Sequence, residues 1–350
     1  MKTLSFSVCC LLINVQLFAQ AVSIDNVAVP VSYYRLPETP LSASYSTYSA
    51  EIDIDYRDLS TTTYTESSLI NEYLSVDGFK KVNSKGDIHI EAEVGDFVNW
   101  GEYHKTSRHK SKDKNGVERE VTKHYIELRW SMPISVVVRD REGDRLIDKY
   151  IFSSSDIRTY VTPSYSSLSD LDSHWRIDRT SRLRNIQKDR IQEGMRQISN
   201  LINSQFGYTR INDNTRFETI GKKKHPEYEI YQKNVEIIKS AFKLMDADKS
   251  LEPVKKAAQP ALDFYKSREA TIKGNGKDEL KLKHIILYNQ ALAYFWFEDF
   301  GKAKQYADAI IKLDPKDKDA KRLQDYIEEV QYSLERSGRK TRHSVVVGKA

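Results

Sequence analysis

The most constraining stretch of this 350-residue chain runs from His284 to Asp317. Apolar residues recur at helical spacing on both sides of a predicted turn at Asp299–Phe300–Gly301, and Pro315 ends the second predicted helix because proline cannot continue one. Small residues mark where two helices approach closely, and aromatic residues fill the space beside them: Ala291, Ala303, Ala307, Tyr294 and Phe300. The stretch is therefore predicted to form two antiparallel helices.

This pattern resembles a tetratricopeptide repeat over residues 284–317. The family has a small residue, aromatic residues at set distances, an alanine and a closing proline, and the matching residues here are Ala291, Tyr294, Phe300, Ala303 and Pro315. Three positions depart from the family pattern: Leu287, Gln290 and Ile310. The resemblance implies an all-α domain of helical hairpins that binds proteins and performs no catalysis.

The first of these two helices carries the candidate partner site. Four consecutive aromatic residues, 294–297, cannot share one face because helical residues step by about 100° around the axis. Phe295 and Trp296 fall where related repeats line the concave groove, and Tyr288, Asn289 and Leu292 lie one to two turns earlier on the same helix. The hypothesis is that these five residues bind a segment of another envelope protein. The alternative is that the groove is filled by the chain's own N-terminal domain or final helix.

The N-terminus is predicted to be a secretory signal peptide over residues 1–20. It combines Lys2, an apolar core over Val8–Ala19 and small residues suited to cleavage after Ala19 or Ala21. Cys9–Cys10 lies at the front of the apolar core, where a lipidated cysteine is not expected. Removal of both cysteines leaves no thiol for disulfides, catalysis or metal binding. The expected location is periplasmic or associated with the outer envelope.

Residues 21–207 are predicted to form an α+β domain, with a mostly antiparallel sheet and two helices. Alternating apolar and polar residues indicate strands at 50–56 and 87–94, and further strands are expected at 22–34 and between 121 and 152. Helices are expected near 66–76 and from about 180 to 205, with a loop over 153–173. The order of elements is similar to small α/β domains of envelope lipoproteins of unknown function.

The rest of the chain is predicted to be a linker at 208–226, an all-α tetratricopeptide-like domain at 227–337 and a disordered basic tail at 338–350. The chain is 39% hydrophobic and 30% charged, with a formal net charge of +5. This composition is typical of globular domains and lacks the strongly basic balance of a nucleic-acid binder. No segment after the leader is long and apolar enough to span a membrane, although the basic tail could contact one peripherally.

Other candidate sites have simpler explanations. His89, Glu91 and Glu93 share one strand face and could bind a metal or act as acid and base, but alternation alone explains them as a solvated face. His104 and His109 are close in sequence, yet the surrounding lysines and arginines repel cations. No metal site and no cofactor are predicted.

The main prediction is an exported, non-enzymatic adaptor that mediates protein–protein contact in the cell envelope. The alternative is a glycan- or peptidoglycan-binding protein that acts through the N-terminal domain, with Trp100, Trp130 and Trp175 stacking on sugars. Exposed and coplanar tryptophans would favour that alternative. An enzyme would require a pocket that joins His89 or His174 to carboxylates.

Overall fold

The computed structural model describes residues 21–42, 44–55, 59–60, 64–112 and 116–344. The chain divides into two compact units. The helical unit comprises Ile211–Tyr332 together with the described part of Met1–Tyr33, and the sheet unit comprises the described parts of Tyr34–Arg210 and Ser333–Ala350. The predicted signal peptide at residues 1–20 lies outside the described residues.

The elements follow one another with short connections. The strands are β1 (Ile24–Arg35), β2 (Thr47–Ile54), β3 (Lys80–Lys81), β4 (Ile88–Val94), β5 (Val98–Lys112), β6 (Glu118–Ser131), β7 (Ile134–Asp140), β8 (Arg145–Phe152), β9 (Arg158–Val161) and β10 (Thr209–Ile220). The helices are α1 (Glu66–Tyr73), α2 (Leu168–Gln205), α3 (Tyr228–Phe242), α4 (Glu252–Thr271), α5 (Lys277–Trp296), α6 (Phe300–Leu313) and α7 (Lys318–Arg336).

The sheet unit contains a five-stranded sheet in the order β3-β2-β4-β7-β8 and a three-stranded sheet in the order β5-β6-β9. β2 runs parallel to β3 and β4. The pairs β4–β7, β7–β8, β5–β6 and β6–β9 are antiparallel. The predicted α+β class, with a mostly antiparallel sheet, is confirmed.

Strand β4 shows how the five-stranded sheet gains two different faces. Alternate residues from Ile88 to Val94 are buried, whereas His89, Glu91 and Glu93 point to the opposite, more exposed face. The buried face packs in one hydrophobic core with α2, including Met195. The period of two in the sequence therefore predicted this strand correctly.

Helix α2 begins about two turns before Trp175, whose side chain packs with Leu171 and Ile126. The predicted loop over 153–173 and the predicted helix start near residue 180 are therefore wrong at the N-terminal end of this helix. Ser167 caps the helix because its hydroxyl accepts a hydrogen bond from the Asp170 amide at 3.1 Å. Charged residues in the first turns of α2 obscure the apolar stripe of this helix in the sequence. The stripe begins well before the predicted start near residue 180.

The helical unit includes two strands from segments that were not predicted to belong to it. β1 and β10 form a two-stranded sheet, here called the ribbon. Val31 and Phe217 from these strands lie in the same hydrophobic core as α3, α4 and α5. Residues 208–226 are therefore not simply a linker, and the strand predicted at 22–34 belongs with the helices rather than with the sheet unit.

The helical hairpin of α5 and α6 has the predicted arrangement with a shifted turn. Phe297, Glu298 and Asp299 connect the helices, and Glu298 adopts a positive φ of 60°. Phe300 and Gly301, predicted in the turn, begin α6 instead. The Asp299 carboxylate accepts a hydrogen bond from the Lys302 amide at 3.3 Å, so a helix cap determines where α6 starts.

The C-terminal segment is ordered as far as the structure describes it. Arg342 and His343 are buried, and the Tyr34 amide donates to the Arg342 carbonyl at 2.9 Å. The prediction of a disordered tail is thus wrong for residues 338–344, and residues 345–350 lie outside the described part. Among the described residues, no helix combines the length and apolar character needed to cross a bilayer.

Helix α2 approaches the sheet closely at Gly194. A Cβ at this position would lie 2.4 Å from Ile134 Cδ1 and 3.3 Å from the Phe152 ring. One turn earlier, the buried Arg190 guanidinium covers the Phe152 ring at 3.2 Å and donates to the Asp156 carboxylate at 2.6 Å. The contact leaves no room for a larger residue at 194.

We predict that Gly194→Val destabilises the sheet unit by about 1–3 kcal/mol, because the added methyl groups overpack this contact. Chemical denaturation followed by circular dichroism measures the change. Arg196→Ala, at an exposed position of the same helix, should change the free energy of unfolding by less than about 0.5 kcal/mol. Equal stabilities for the two variants would contradict the close packing.

Candidate functional site

The five residues of the predicted partner site lie together on α5, beneath the ribbon. Asn289 is fully buried, Leu292, Phe295 and Trp296 are at most 8% exposed, and Tyr288 is half-buried. The side chains of Tyr33 and Trp296 are in contact, with ring centroids 5.3 Å apart. In this structure the chain itself fills the groove, as the alternative interpretation allowed, but the occupants are β1 and β10.

Asn289 holds the backbone of β10 with both ends of its amide. The Glu218 amide donates to Asn289 Oδ1 at 2.8 Å, and Asn289 Nδ2 donates to the Glu218 carbonyl at 2.8 Å. The second Nδ2 proton goes to the Tyr265 hydroxyl at 3.0 Å. A primary amide has two donor protons and one acceptor oxygen, and every one of these functions is used here. The geometry recognises an extended backbone whatever its side chains are.

Polar contacts from the helices also fix β1 and the residues just before it. The Val22 amide donates to Asp278 Oδ1 at 2.9 Å, and the Lys281 ammonium donates to the Val22 carbonyl. Further along β1, the Ala247 amide donates to the Ser32 hydroxyl at 3.3 Å. The ribbon is thus held at several points of the helical unit, not only through its apolar side chains.

His284 joins β10 to the start of α7 through two carboxylates. Its Nδ1 lies 2.9 Å from Glu218 Oε2 and its Nε2 lies 2.7 Å from Asp317 Oδ2, while the Tyr288 ring stacks beside it at 5.8 Å. Asp317 also accepts the Ala320 amide at 2.8 Å, which caps α7. All three charged side chains are mostly buried.

This arrangement favours a charged imidazolium. Burial alone lowers the pKa of His284, but the hydrogen bond and charge of Glu218, together with the charge of Asp317, outweigh burial and raise the pKa to about 9. Because both ring nitrogens donate to carboxylates, His284 has no free lone pair to accept a proton. The cluster is suited to holding β10 against α5, not to general base catalysis.

Sequence reasoning missed Glu218, His284 and Asp317 as a cluster. They are separated by 66 and 33 residues, and no local spacing connects them. The only hint was the apolar and β-branched end of the supposed linker, from Phe217 to Ile220, which is typical of a buried strand.

The predicted acid–base set on β4 is only partly brought together. His89 Nε2 lies 3.4 Å from Glu91 and 3.5 Å from Glu51, and these three residues have the ligand types and proximity for a metal ion. Glu93 is not part of this group. Arg139 approaches Glu91 at 3.5 Å, so a guanidinium already offsets part of the negative charge there.

The two histidines of β5 do not converge. His104 lies 3.7 Å from the Asp172 carboxylate, and His109 contacts the Ser107 hydroxyl at 3.0 Å. An odd separation of five residues places them on opposite faces of the strand. They do not form a common site.

The tryptophans do not meet the condition for the glycan interpretation. Trp100 is 49% exposed, but Trp130 and Trp175 are buried. Trp130 stacks on Phe97 at 5.6 Å, and Trp175 Nε1 donates to Glu102 at 2.7 Å. Two of the three rings are therefore committed to the interior and cannot stack on a sugar.

Residues 285–330 match the family model of the Fis1 C-terminal tetratricopeptide repeat. The C-terminal helical region is tetratricopeptide-like, a class of non-catalytic interaction fold. Among solved structures, a minor lipoprotein from Acinetobacter baumannii has 18% sequence identity, covering 45% of this chain and 94% of that one, with a TM-score of 0.20. Similarity at that level does not establish a shared fold. No curated protein matches the chain.

We predict a pH-dependent role for His284 in stability. Its folded pKa is raised, so its contribution is fully present below the ordinary value of about 6.5 and is lost as the pH rises towards about 9. His284→Gln should lower the free energy of unfolding by on the order of 2 kcal/mol at about pH 6, and the deficit should shrink at higher pH. Urea denaturation over this pH range measures it, with the exposed His109→Gln as control; a deficit independent of pH would be inconsistent with the charged bridge.

We predict that Asn289→Ala weakens the attachment of β10. The change leaves the amide and carbonyl of Glu218 and the Tyr265 hydroxyl without their partner, which should cost about 2–4 kcal/mol. Denaturation measures the loss, and hydrogen exchange of the Glu218 amide should accelerate because the strand opens locally. Gln331→Ala, at an exposed position of α7, should alter neither; unchanged exchange in Asn289→Ala would rule out the clamp.

Proposed function

We propose that this chain is an exported, non-enzymatic adaptor whose helical unit binds an extended segment of another protein. The observation that carries the proposal is the amide clamp of Asn289 on the backbone of β10, within a region that matches a tetratricopeptide family model. A clamp that recognises main-chain groups accepts an extended segment of almost any sequence. Side-chain pockets then select among such segments.

The proposed partner site consists of the five residues predicted from the sequence. Tyr288, Asn289, Leu292, Phe295 and Trp296 now contact or lie beside the ribbon, so a partner segment must replace part of it. The segment should carry a carboxylate at the position that Glu218 occupies in this structure. This position lies beside the charged imidazolium of His284, which pairs with the Glu218 carboxylate. It should also carry an aromatic residue to replace the contact that Tyr33 makes with Trp296.

We further propose a location in the cell envelope, in the periplasm or at the outer membrane. The support is the predicted leader at residues 1–20, with its apolar core over Val8–Ala19. No role in binding lipid is proposed for the C-terminal segment up to residue 344, because Arg342 and His343 pack within the sheet unit.

A photo-crosslinking residue at position 288 tests the proposed site. Tyr288 is half-buried at the edge of the groove, so benzoylphenylalanine there should form an adduct with one specific protein in extracts of the cells that make this chain. Mass spectrometry identifies the partner and the crosslinked peptide. That peptide should be extended and should carry a carboxylate, because it takes the place of β10 and of its Glu218.

The matched control places the same probe at Tyr326, which is 50% exposed on α7. An adduct with another protein at 326, combined with only intrachain adducts to β10 at 288, would move the partner to α7 and contradict the groove proposal. The absence of adducts to other proteins at both positions would contradict the adaptor function itself.

A further inference from the structure

The hairpin of β5 and β6 extends well beyond the third strand of its sheet. The two strands pair as far as Lys112 and Glu118, whereas β9 pairs only with Glu127–Trp130. We call Lys105–Lys112 and Glu118–Tyr125 the arm; at its base, His124 forms a single bridge to Tyr165. A two-stranded hairpin is only marginally stable by itself in water, so a surface that covers the arm would stabilise it.

One face of the arm carries Lys105 and Lys123, and none of the described arm residues on this face is a carboxylate. Residues directly opposite in an antiparallel pair share a face, so the register of the two strands places the following residues together: Lys105, Ser107, His109, Ser111, Arg119, Val121, Lys123 and Tyr125. On the other face, Arg108 and Lys110 lie 3.7 Å and 3.9 Å from Glu120 and Glu118. The first face, here called the basic face, is therefore the one suited to an acidic partner.

The sheet unit also has an acidic surface, which could complement the basic face. On the exposed side of the five-stranded sheet, Glu51 is directly opposite Glu91 and Asp53 is directly opposite Glu93. These four carboxylates line a shallow cavity of about 490 Å³, here called the acidic face. Like charges directly opposite each other on neighbouring strands are destabilising, so a cationic occupant would relieve this repulsion.

The two ends of the acidic face differ in their neighbours. His89 and Arg139 offset the charges of Glu51 and Glu91. At the other end, the contact that the structure gives Glu93 is the Ser135 hydroxyl at 3.3 Å, which brings no positive charge. A cation that docks on the acidic face should therefore be most stabilising beside Asp53 and Glu93.

We propose that the basic face of the arm docks on the acidic face of a second copy of this chain. Both surfaces belong to the sheet unit, so every copy carries both halves of the interaction. Reciprocal docking closes a two-fold dimer in which each arm is covered. Lys105 and Lys123 of one copy then meet the carboxylates of the partner copy.

The charges of this interface determine its expected behaviour. Both faces are largely exposed, so the attraction between them is screened by salt over a distance of about 10 Å at about 0.1 M ionic strength. Complementary charges contribute mainly to the rate and specificity of association. The dimer should therefore form readily at low salt and dissociate as salt is added.

Charge reversal and its compensation test the proposal. The arm variant is Lys105→Glu with Lys123→Glu, and the face variant is Asp53→Lys with Glu93→Lys. In sedimentation velocity at low salt, the wild-type protein should dimerise, and each variant alone should bind itself at least about tenfold more weakly because attraction becomes repulsion. An equimolar mixture of the two variants should dimerise again, because each reversed surface then meets an oppositely charged one.

The control is Arg184→Glu with Arg196→Glu, which makes the same change in net charge as the arm variant at exposed positions of α2 and should dimerise like the wild type. Restored association in the mixture also shows that both variants are folded. A wild-type protein that stays monomeric at low salt overturns the proposal. So does a dimer that survives either reversal, or a mixture of variants that remains monomeric.

Discussion

The bidentate contact between the Asn289 side chain and the Glu218 backbone is the interaction on which the helical unit depends. A fully buried amide is costly unless its donors and acceptor are satisfied. Here the backbone of β10 and the Tyr265 hydroxyl satisfy it. The helical unit consequently needs an extended backbone beside Asn289 in addition to its apolar core.

The charged bridge of His284 also determines the register in which β10 attaches to α5. An amide clamp would accept any residue of an extended strand, but the imidazolium requires a carboxylate, and Glu218 supplies it. Shifting β10 by one residue would turn that carboxylate to the other side of the strand and leave a buried charge without its partner. The clamp and the bridge together thus select one alignment of β10. Because Asp317 also caps α7, the same cluster fixes where that helix begins.

The sequence predicted the local features and missed those that depend on distant partners. The alternation of β4 and the proline after α6 were sufficient to place those elements, because neighbouring residues determine them. The segment 208–226 is predicted as a linker, yet Phe217 and Ile220 are buried against helices that come later in the chain. Similarly, Phe295 and Trp296 were correctly placed on α5, but no local pattern could show that a strand covers them.

The two units distribute their charges in opposite ways, and this separates their responses to solution conditions. In the helical unit, the bridge of His284 is mostly buried, so added salt screens it little, whereas raising the pH removes its charge. In the sheet unit, the opposing charges of the arm and the acidic face lie at the surface, where salt screens them strongly. Salt should therefore control association between copies while leaving β10 in place, whereas alkaline pH should loosen β10.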